Sequence, residues 1–247
     1  MRREHNIVGS TPTPPVEDGL IFHAPLTSNS VDIIGGKTSI GEAISYSTNG
    51  AYFNASTTVD SLKFLCYSVS QSELKSVKTI YCEFISMKSI SSTQVVYFLG
   101  GSKTSDQYSY SSNNEGVWRH YRSIWSNKDC FCYKYSSTTN SSNPGFWKYD
   151  ADASSSTSVT QNTIHKVVSC TYGNRQFTYY DGVKNYQVTN TDTFDQYPLT
   201  NNGQIGWYLF IGGRQHMVQK QLIGYVRNLK MYTKEFTDAE LAAMTTL

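Results

Sequence analysis

Short segments in which apolar and polar residues alternate recur along most of this chain. In residues 20–24 the alternation predicts a strand with Leu20 and Phe22 on one face and Ile21 and His23 on the other. Similar segments, rich in β-branched and aromatic residues, lie at 50–53, 78–84, 164–172, 175–180 and 223–232. Because Gly, Asn and Asp separate them, the pattern predicts an all-β protein built of antiparallel strands.

Two turn signals and one helix signal punctuate the second half of the chain. Residues 173–174 (Gly-Asn) break one strand pair, and Asp181-Gly182 supplies the positive φ angles of a tight primed turn. We therefore expect Tyr179 and Tyr186 on neighbouring antiparallel strands. Near the C-terminus, residues 237–240 (Thr-Asp-Ala-Glu) form a capping box, which predicts one short terminal helix.

The order of these elements resembles the laminin-G-like, concanavalin A-like sandwich family. The resemblance rests on 164–182, on Ile211-Gly212-Gly213 and on the strand 223–232 followed by the helix signal. It extends more loosely to Gly19, whereas 100–160 match poorly. It implies a two-sheet antiparallel β-sandwich, a concanavalin A-like jelly roll, with a short C-terminal helix. That fold serves lectins, glycosidases and adhesion modules alike, so it leaves the function open.

The same alignment of strands makes predictions about the core. The strand 223–232 should lie beside the opening strand, so that the ends of the domain meet. Seven side chains on inward-facing positions should be buried: Phe22, Phe53, Ile80, Phe84, Val168, Phe177 and Val226.

The chain divides into a polar arm, residues 1–18, and a laminin-G-like sandwich domain, residues 19–247. The arm ends in a proline-rich, semi-rigid extended stretch. Arginines offer charge-assisted contacts and prolines reduce the entropy lost on ordering, so we expect the arm to anchor the protein to another subunit. The residues expected to make these contacts are Arg2, Arg3, Pro12, Pro14 and Pro15.

Composition narrows the classes of partner. Aromatic residues make up 14% of the chain and charged residues 16%, with a formal net charge of +2. No basic stripe is present, which argues against nucleic acid. The longest apolar runs are too short to cross a membrane. Residues 1–6 contain no apolar segment, so we expect a protein made in the cytoplasm without a secretory signal.

Metal sites have weak support in the sequence. The five cysteines are an odd number, and we expect reduced thiols, with Cys82 and Cys170 buried in strands. Cys130 and Cys132 could ligate a metal together with His120, but an i, i+2 pair in a strand also simply shares one face. We expect no cofactor. The resemblance allows a structural calcium ion, for which the candidate ligands are Asp32, Asp129, Asp150 and Asp192.

The sequence predicts no enzyme. Glycosidases on this sandwich place a Glu-x-Asp-x-x-Glu motif on one strand, because two carboxyl groups must flank one glycosidic bond. No Glu-x-Asp occurs, and Glu83 stands alone in the corresponding strand, where we interpret it as a partly solvated residue. His165 matches a family position that packs structurally.

Glycan binding is supported by a cluster of aromatic residues between 118 and 149. Sugars bind by stacking on aromatic rings and by hydrogen bonds to planar polar groups. Alternation places Trp118 with His120 and Arg122 on one face and Tyr121 with Trp125 on the other, and one set must be core or subunit interface. The candidate glycan-binding residues are Trp118, Tyr121, Arg122, Trp125, Trp147 and Tyr149.

Three functions remain open at this point. The first is a non-enzymatic virion structural protein of a bacteriophage, such as a capsid decoration, head-fibre or tail component. It would be a homo-oligomer attached to other virion proteins through the arm, with adhesion to host glycans. The alternative is a bacterial cell-surface carbohydrate-binding module, which requires export. A glycoside hydrolase or lyase with a diverged site is the third.

Overall fold

The computed structural model of this protein consists of two antiparallel sheets that pack face to face around a shared core. The structure describes residues 17–54, 63–88, 94–102, 115–125, 128–134, 147–149, 158–189, 206–213 and 221–247. The strands within these residues are β1 (Leu20–Ala24), β2 (Ser45–Ser47), β3 (Gly50–Phe53), β4 (Leu65–Val69), β5 (Thr79–Ser86), β6 (Gln94–Ser102), β7 (Glu115–Trp125), β8 (Lys128–Lys134), β9 (Trp147–Tyr149), β10 (Ile164–Tyr172), β11 (Arg175–Tyr180), β12 (Val183–Thr189), β13 (Gly206–Ile211) and β14 (Gly224–Tyr232). The helices are α1 (Gln71–Ser76) and α2 (Asp238–Thr245).

The chain crosses repeatedly between the two sheets. The eight-stranded sheet has the order β12-β11-β10-β5-β14-β3-β2, with β1 also paired to β14. The six-stranded sheet has the order β4-β13-β6-β7-β8-β9. All pairings between named strands are antiparallel. The expected fold, a two-sheet antiparallel β-sandwich with a short C-terminal helix, is therefore confirmed.

The seven side chains expected to be buried are all at most 1% exposed. Five of them lie in the main cluster, which takes residues from both sheets. Val168 and Phe177 belong instead to a second cluster, on the outer face of the eight-stranded sheet, where Leu241 of α2 covers them. The terminal helix therefore covers part of one outer face, and beneath it both faces of the eight-stranded sheet are buried.

The first strand departs from simple alternation. β1 pairs with β14, as expected, through Leu20 opposite Tyr232 and Phe22 opposite Met231. The register shifts between Leu20 and Phe22, and an extra residue in a strand exchanges the two faces. Phe22 therefore enters the main cluster while Leu20 joins the cluster under α2. The prediction that Leu20 and Phe22 share a face is wrong for this reason.

The local signals for turns and caps are confirmed. Asp181 (φ 47°) and Gly182 (φ 82°) connect β11 to β12, which puts Tyr179 and Tyr186 on adjacent strands. Thr237 and Glu240 form the reciprocal capping box at the start of α2. The short helix α1 is an element beyond those predicted, although Ser70 and Glu73 carry the same capping-box spacing.

Three of the cysteines are buried and form no disulfide within the described residues: Cys66, Cys82 and Cys170. Burial raises the pKa of Cys66 and of Cys170 to about 12, so both thiols stay protonated and behave as small apolar groups. The predicted burial of Cys82 and Cys170 is confirmed. Among the described residues, no helix is both long enough and apolar enough to span a membrane.

The predicted arm lies almost wholly outside the described residues. Only Glu17 and Asp18 of it are described, and they precede β1 directly. The five residues expected to make its contacts fall outside the described ranges: Arg2, Arg3, Pro12, Pro14 and Pro15. The division into an arm and a sandwich domain therefore stays a prediction.

Candidate functional site

The strand register aligns the aromatic residues of β7 and β9 in two rows across the six-stranded sheet. Residues that pair directly in an antiparallel sheet lie on the same face. One row, from β13 to β9, consists of Tyr208, Gly100, Trp118, Lys134 and Trp147. The next row consists of Phe210, Phe98, Tyr121, Cys132 and Tyr149. Four of the predicted glycan-binding residues thus share one face.

The alignment of Trp118 with Tyr121 on one face depends on a β-bulge in β7. From Trp118 to His120 the chain advances by two residues in β7, whereas the partner strand β6 advances by only one residue, from Gly100 to Leu99. The extra residue shifts Trp118 to the face occupied by Tyr121, three residues further on. The expectation that Trp118 shares a face with His120 is therefore wrong, because alternation alone cannot show where a bulge occurs.

The described part of this face has an aromatic floor. Phe98 and Phe210, each 2% exposed, belong to a cluster with Phe64 that is separate from the core between the sheets. The rings of Phe98 and Phe210 are 5.8 Å apart, as are those of Phe210 and Tyr208. Burial raises the pKa of Tyr208, so its hydroxyl stays protonated at neutral pH. We call the surface formed by the two rows the aromatic face.

Trp125 occupies a position on this face at the end of β7. It alternates with Ile124, which is buried in the core between the sheets. Its partner across the strand pair is Lys128, the first residue of β8. Five of the six predicted residues (Trp118, Tyr121, Trp125, Trp147 and Tyr149) therefore map to positions on the aromatic face.

Arg122 is the exception. It is fully buried, and its Nη1 atom donates to Ser169 Oγ at 3.0 Å and to the Val168 carbonyl at 3.3 Å. Tyr97 donates to the same Ser169 oxygen at 2.6 Å. Arg122 therefore ties β7 to β10 through the interior, and a guanidinium in that position is enclosed by protein rather than offered to a ligand. Its assignment as a glycan-binding residue is corrected to a structural role.

The candidate metal ligands do not form a site within the described residues, which contain no group of three or more His, Cys, Asp or Glu side chains arranged for a metal. Asp32 is fully buried and accepts hydrogen bonds from the backbone amides of His23 (2.9 Å), Ile34 (3.0 Å) and Gly35 (2.9 Å). This carboxylate stabilises a turn by accepting backbone hydrogen bonds, and these bonds explain its burial without a calcium ion. Asp150 and Asp192 lie outside the described ranges. For Asp129, Cys130 and Cys132 only the backbone of β8 is described.

Glu83 is buried rather than partly solvated, which corrects the sequence interpretation. Its carboxylate accepts hydrogen bonds from Tyr81 Oη (2.8 Å), Asn228 Nδ2 (3.0 Å) and Arg227 Nε (2.5 Å). Burial by itself raises the pKa of Glu83, but the bonds from Asn228, Tyr81 and Arg227 outweigh it and hold the pKa below its usual value. An ionised carboxylate enclosed by three donors lacks the raised pKa of a general acid.

His165 links the start of β10 to the turn between β11 and β12. Its Nδ1 atom lies 2.7 Å from Asp181 Oδ2, and its Nε2 atom lies 2.9 Å from the Thr160 carbonyl. The other Asp181 oxygen accepts the Lys166 amide at 2.8 Å. The ring is buried and holds the turn in place, in agreement with the structural role expected for it.

Several solved structures share this fold at low sequence identity. No protein-family model and no curated protein matches the chain. Trypanosoma rangeli sialidase in complex with sialic acid matches 94% of this chain at 14% identity, with a TM-score of 0.57, although the chain spans only 33% of that enzyme. Domain 4 of the extracellular arabinanase AbnA from Geobacillus stearothermophilus, in complex with arabinotriose, matches 94% of this chain and 100% of its own, at 13% identity and a TM-score of 0.56.

A third similar structure is the CBM40 domain of Ruminococcus gnavus IT-sialidase bound to α2,3-sialyllactose. It covers 74% of this chain and 92% of its own, at 13% identity and a TM-score of 0.50. Identities this low establish a shared fold and nothing finer. The sandwich architecture expected from the sequence is therefore supported by independent structures.

Proposed function

We propose that this protein is a non-catalytic carbohydrate-binding domain that holds a glycan on its aromatic face. The observation that carries the proposal is the strand register, which aligns Trp118 with Trp147 through Lys134, and Tyr121 with Tyr149 through Cys132, in two neighbouring rows. Each pair is separated by one intervening strand, so its backbones lie about 10 Å apart. Along β9 the two rows are about 7 Å apart. These spacings suit sugar rings stacked on aromatic side chains.

The similar structures support the same class of ligand. The arabinanase domain was solved with arabinotriose and the CBM40 domain with sialyllactose, and both match most of their own length here. Their low identities give no reason to transfer either sugar to this chain. They favour the interpretation as a carbohydrate-binding module over that as a virion component.

A catalytic role has less support. The lone glutamate of β5, Glu83, is enclosed by Tyr81, Arg227 and Asn228 and remains ionised. Binding without turnover is the simpler assignment, although sialidase and arabinanase chains occur among the similar structures.

The virion interpretation remains a prediction from the sequence alone. It includes the anchoring arm, the homo-oligomer and a location in the virion, and the similar structures give it no support. The laminin-G-like relationship likewise stays a resemblance, because no family model matches.

Glycan-array screening of the full chain tests the proposal. We expect binding that Trp118→Ala and Trp147→Ala each abolish. Tyr225→Ala is the matched control, since Tyr225 stacks on Tyr52 in the other sheet, with ring centroids 5.0 Å apart. Circular dichroism establishes that each variant is folded. Glycan binding with the wild-type affinity in both tryptophan variants, or no glycan bound at all, would overturn the proposal, and hydrolysis of a bound glycan would restore the enzyme interpretation.

A further inference from the structure

A second candidate site, which we call the second pocket, lies on the sheet opposite the one that carries the aromatic face. It is a pocket of about 350 Å³ on the outer face of the eight-stranded sheet, between β1, β5, β14 and the end of α2. This volume falls within the range typical of small-molecule sites. The pocket is lined by Glu17, His23, Tyr81, Glu83, Asn228, Lys230, Tyr232 and Met244.

The pocket wall is built by an irregularity in β14. The register against β5 shifts between Arg227 and Lys230, and Asn228 adopts a left-handed conformation with φ 50°. Its amide donates to the Pro25 carbonyl at 3.0 Å, and its side chain donates to Glu83 at 3.0 Å. Bulges re-aim side chains, and non-glycine residues with positive φ are uncommon outside turns and sites. Asn228 thus lines the pocket because the strand is interrupted there.

The charges that line the pocket are balanced. Glu17 forms an ion pair with Lys230 and accepts a hydrogen bond from Tyr232 Oη at 2.5 Å. Glu83 forms an ion pair with Arg227 of β14. Since each carboxylate already has a cationic partner, the pocket offers no unbalanced charge to attract an ion.

One polar atom in the pocket has no partner. Nε2 of His23 is buried and makes no hydrogen bond within the described part of the chain. Burial, together with the charge of Lys230, lowers the pKa of His23, so the ring is neutral at neutral pH. Depending on the tautomer, Nε2 then offers either a proton or a lone pair, and a hydroxyl group satisfies both because it donates and accepts.

The remaining hydrogen-bonding capacity of the pocket comprises both acceptors and donors. Tyr81 and Tyr232 donate their protons to Glu83 and Glu17, which leaves lone pairs on both phenol oxygens. The ammonium group of Lys230 carries more N–H groups than its bond to Glu17 uses. A ligand that fits therefore carries groups that both donate and accept, and no net charge. We propose that this pocket binds a neutral polyhydroxylated molecule, one monosaccharide unit in size, independently of the aromatic face.

Histidine NMR on the full chain tests this inference. The ¹⁵N resonances of His23, assigned with a His23→Gln variant, are followed during titration with methyl β-D-glucopyranoside, methyl β-D-galactopyranoside and methyl α-L-arabinofuranoside. We expect a saturable shift of His23 Nε2 with at least one glycoside and none with sodium acetate or ethylammonium chloride. His165, buried elsewhere against Asp181 and Thr160, is the internal control and should not respond.

Two neighbouring positions on α2 supply a blocking variant and its control. Met244 lines the pocket, whereas Ala243 is exposed, so Met244→Trp should fill the space and Ala243→Trp should not. We expect Met244→Trp to weaken the glycoside affinity by about tenfold or more and Ala243→Trp to change it by less than about twofold.

The outcome is separable from that of the proposed function. Trp118→Ala removes glycan binding at the aromatic face but should leave the His23 titration unchanged. Absence of a saturable His23 shift with every glycoside, the same affinity in Met244→Trp, or saturation by acetate or ethylammonium instead would each overturn the second site, whatever happens at the aromatic face.

Discussion

Glu83 of β5 and Arg227 of β14 form an ion pair across adjacent strands, with 2.5 Å between Oε2 and Nε. The glutamate is buried and the arginine is partly exposed. Two neutral donors, Tyr81 and Asn228, complete the coordination of the carboxylate. This cluster fixes the outer surface of the eight-stranded sheet beside the second pocket.

The cluster makes stability depend on pH. The pKa of Glu83 is held below its usual value of 4.5 in the folded protein, so ionised Glu83 contributes stability above that value. This contribution is lost as the pH falls through the depressed pKa. We expect Glu83→Gln to lower the free energy of unfolding by about 1–3 kcal/mol at neutral pH.

Chemical denaturation between pH 7 and pH 3 measures the effect. The difference between wild type and Glu83→Gln should shrink in acid, because below about pH 4.5 the unfolded chain binds a proton at Glu83 more readily than the folded protein does. Glu42→Gln is the control, since that carboxylate is exposed at the surface, where it pairs with Lys63. A Glu83→Gln difference that is the same at both ends of the pH range would contradict the prediction.

The hairpin turn predicts a second effect on stability. Gly182 has φ 82°, and the left-handed region costs residues with a Cβ atom about 1–2 kcal/mol. A β-branched side chain resists this conformation most, so Gly182→Val should destabilise the protein by at least that amount. Val183→Thr, at the next and exposed position, should be close to neutral. An unchanged melting temperature for Gly182→Val would show that the backbone tolerates the change.

Structural features that depend on neighbouring residues could be predicted from the sequence, whereas features that depend on distant residues could not. The turn at Asp181-Gly182 and the cap at Thr237 depend on neighbouring residues only, and both were predicted. Alternation failed where a bulge added one residue, at Leu20 in β1 and at Trp118 in β7. Bulges depend on the partner strand, which is distant in sequence.

The site residues follow the same rule. The burial of Glu83 has no local signal, because Arg227 and Asn228, which enclose it, lie more than a hundred residues away along the chain. The structural role of Arg122 has none either, because its interior partner, Ser169, comes from the opposite sheet. The capping box of α1, by contrast, is a local signal that is visible in the sequence.

Gly212 provides a test of close packing. It has φ 76°, and a Cβ atom there would lie 2.3 Å from the ring of Phe53. Gly212→Ala therefore combines an unfavourable φ with overpacking against a buried ring, and we expect a loss of roughly 2–5 kcal/mol. Gly36→Ala is the matched control, because Gly36 has φ 68° and a Cβ atom there would meet no other atom within 4 Å. Thermal unfolding should separate the two variants, and equal melting temperatures would contradict the steric explanation.

The arm gives the last prediction. The first described contacts of the chain come from Glu17, which binds Lys230 and Tyr232, and β1 begins three residues later. Removal of residues 1–16 keeps these contacts, so the melting temperature should stay nearly unchanged. Removal of Glu17 as well leaves Lys230 and Tyr232 without their partner and should destabilise the sandwich by about 1 kcal/mol.

The oligomeric state, unlike the melting temperature, should change when residues 1–16 are removed. If the arm anchors the protein to another subunit, removal of residues 1–16 should convert oligomers to monomers in size-exclusion chromatography with light scattering, although the domain remains folded. A truncated protein that assembles as well as the full chain would show that the arm is not an anchor. The virion interpretation would then lose the feature of the sequence on which it mainly depends. Carbohydrate binding by an isolated sandwich domain would be the better account, because every residue named for the aromatic face and for the second pocket lies beyond residue 16.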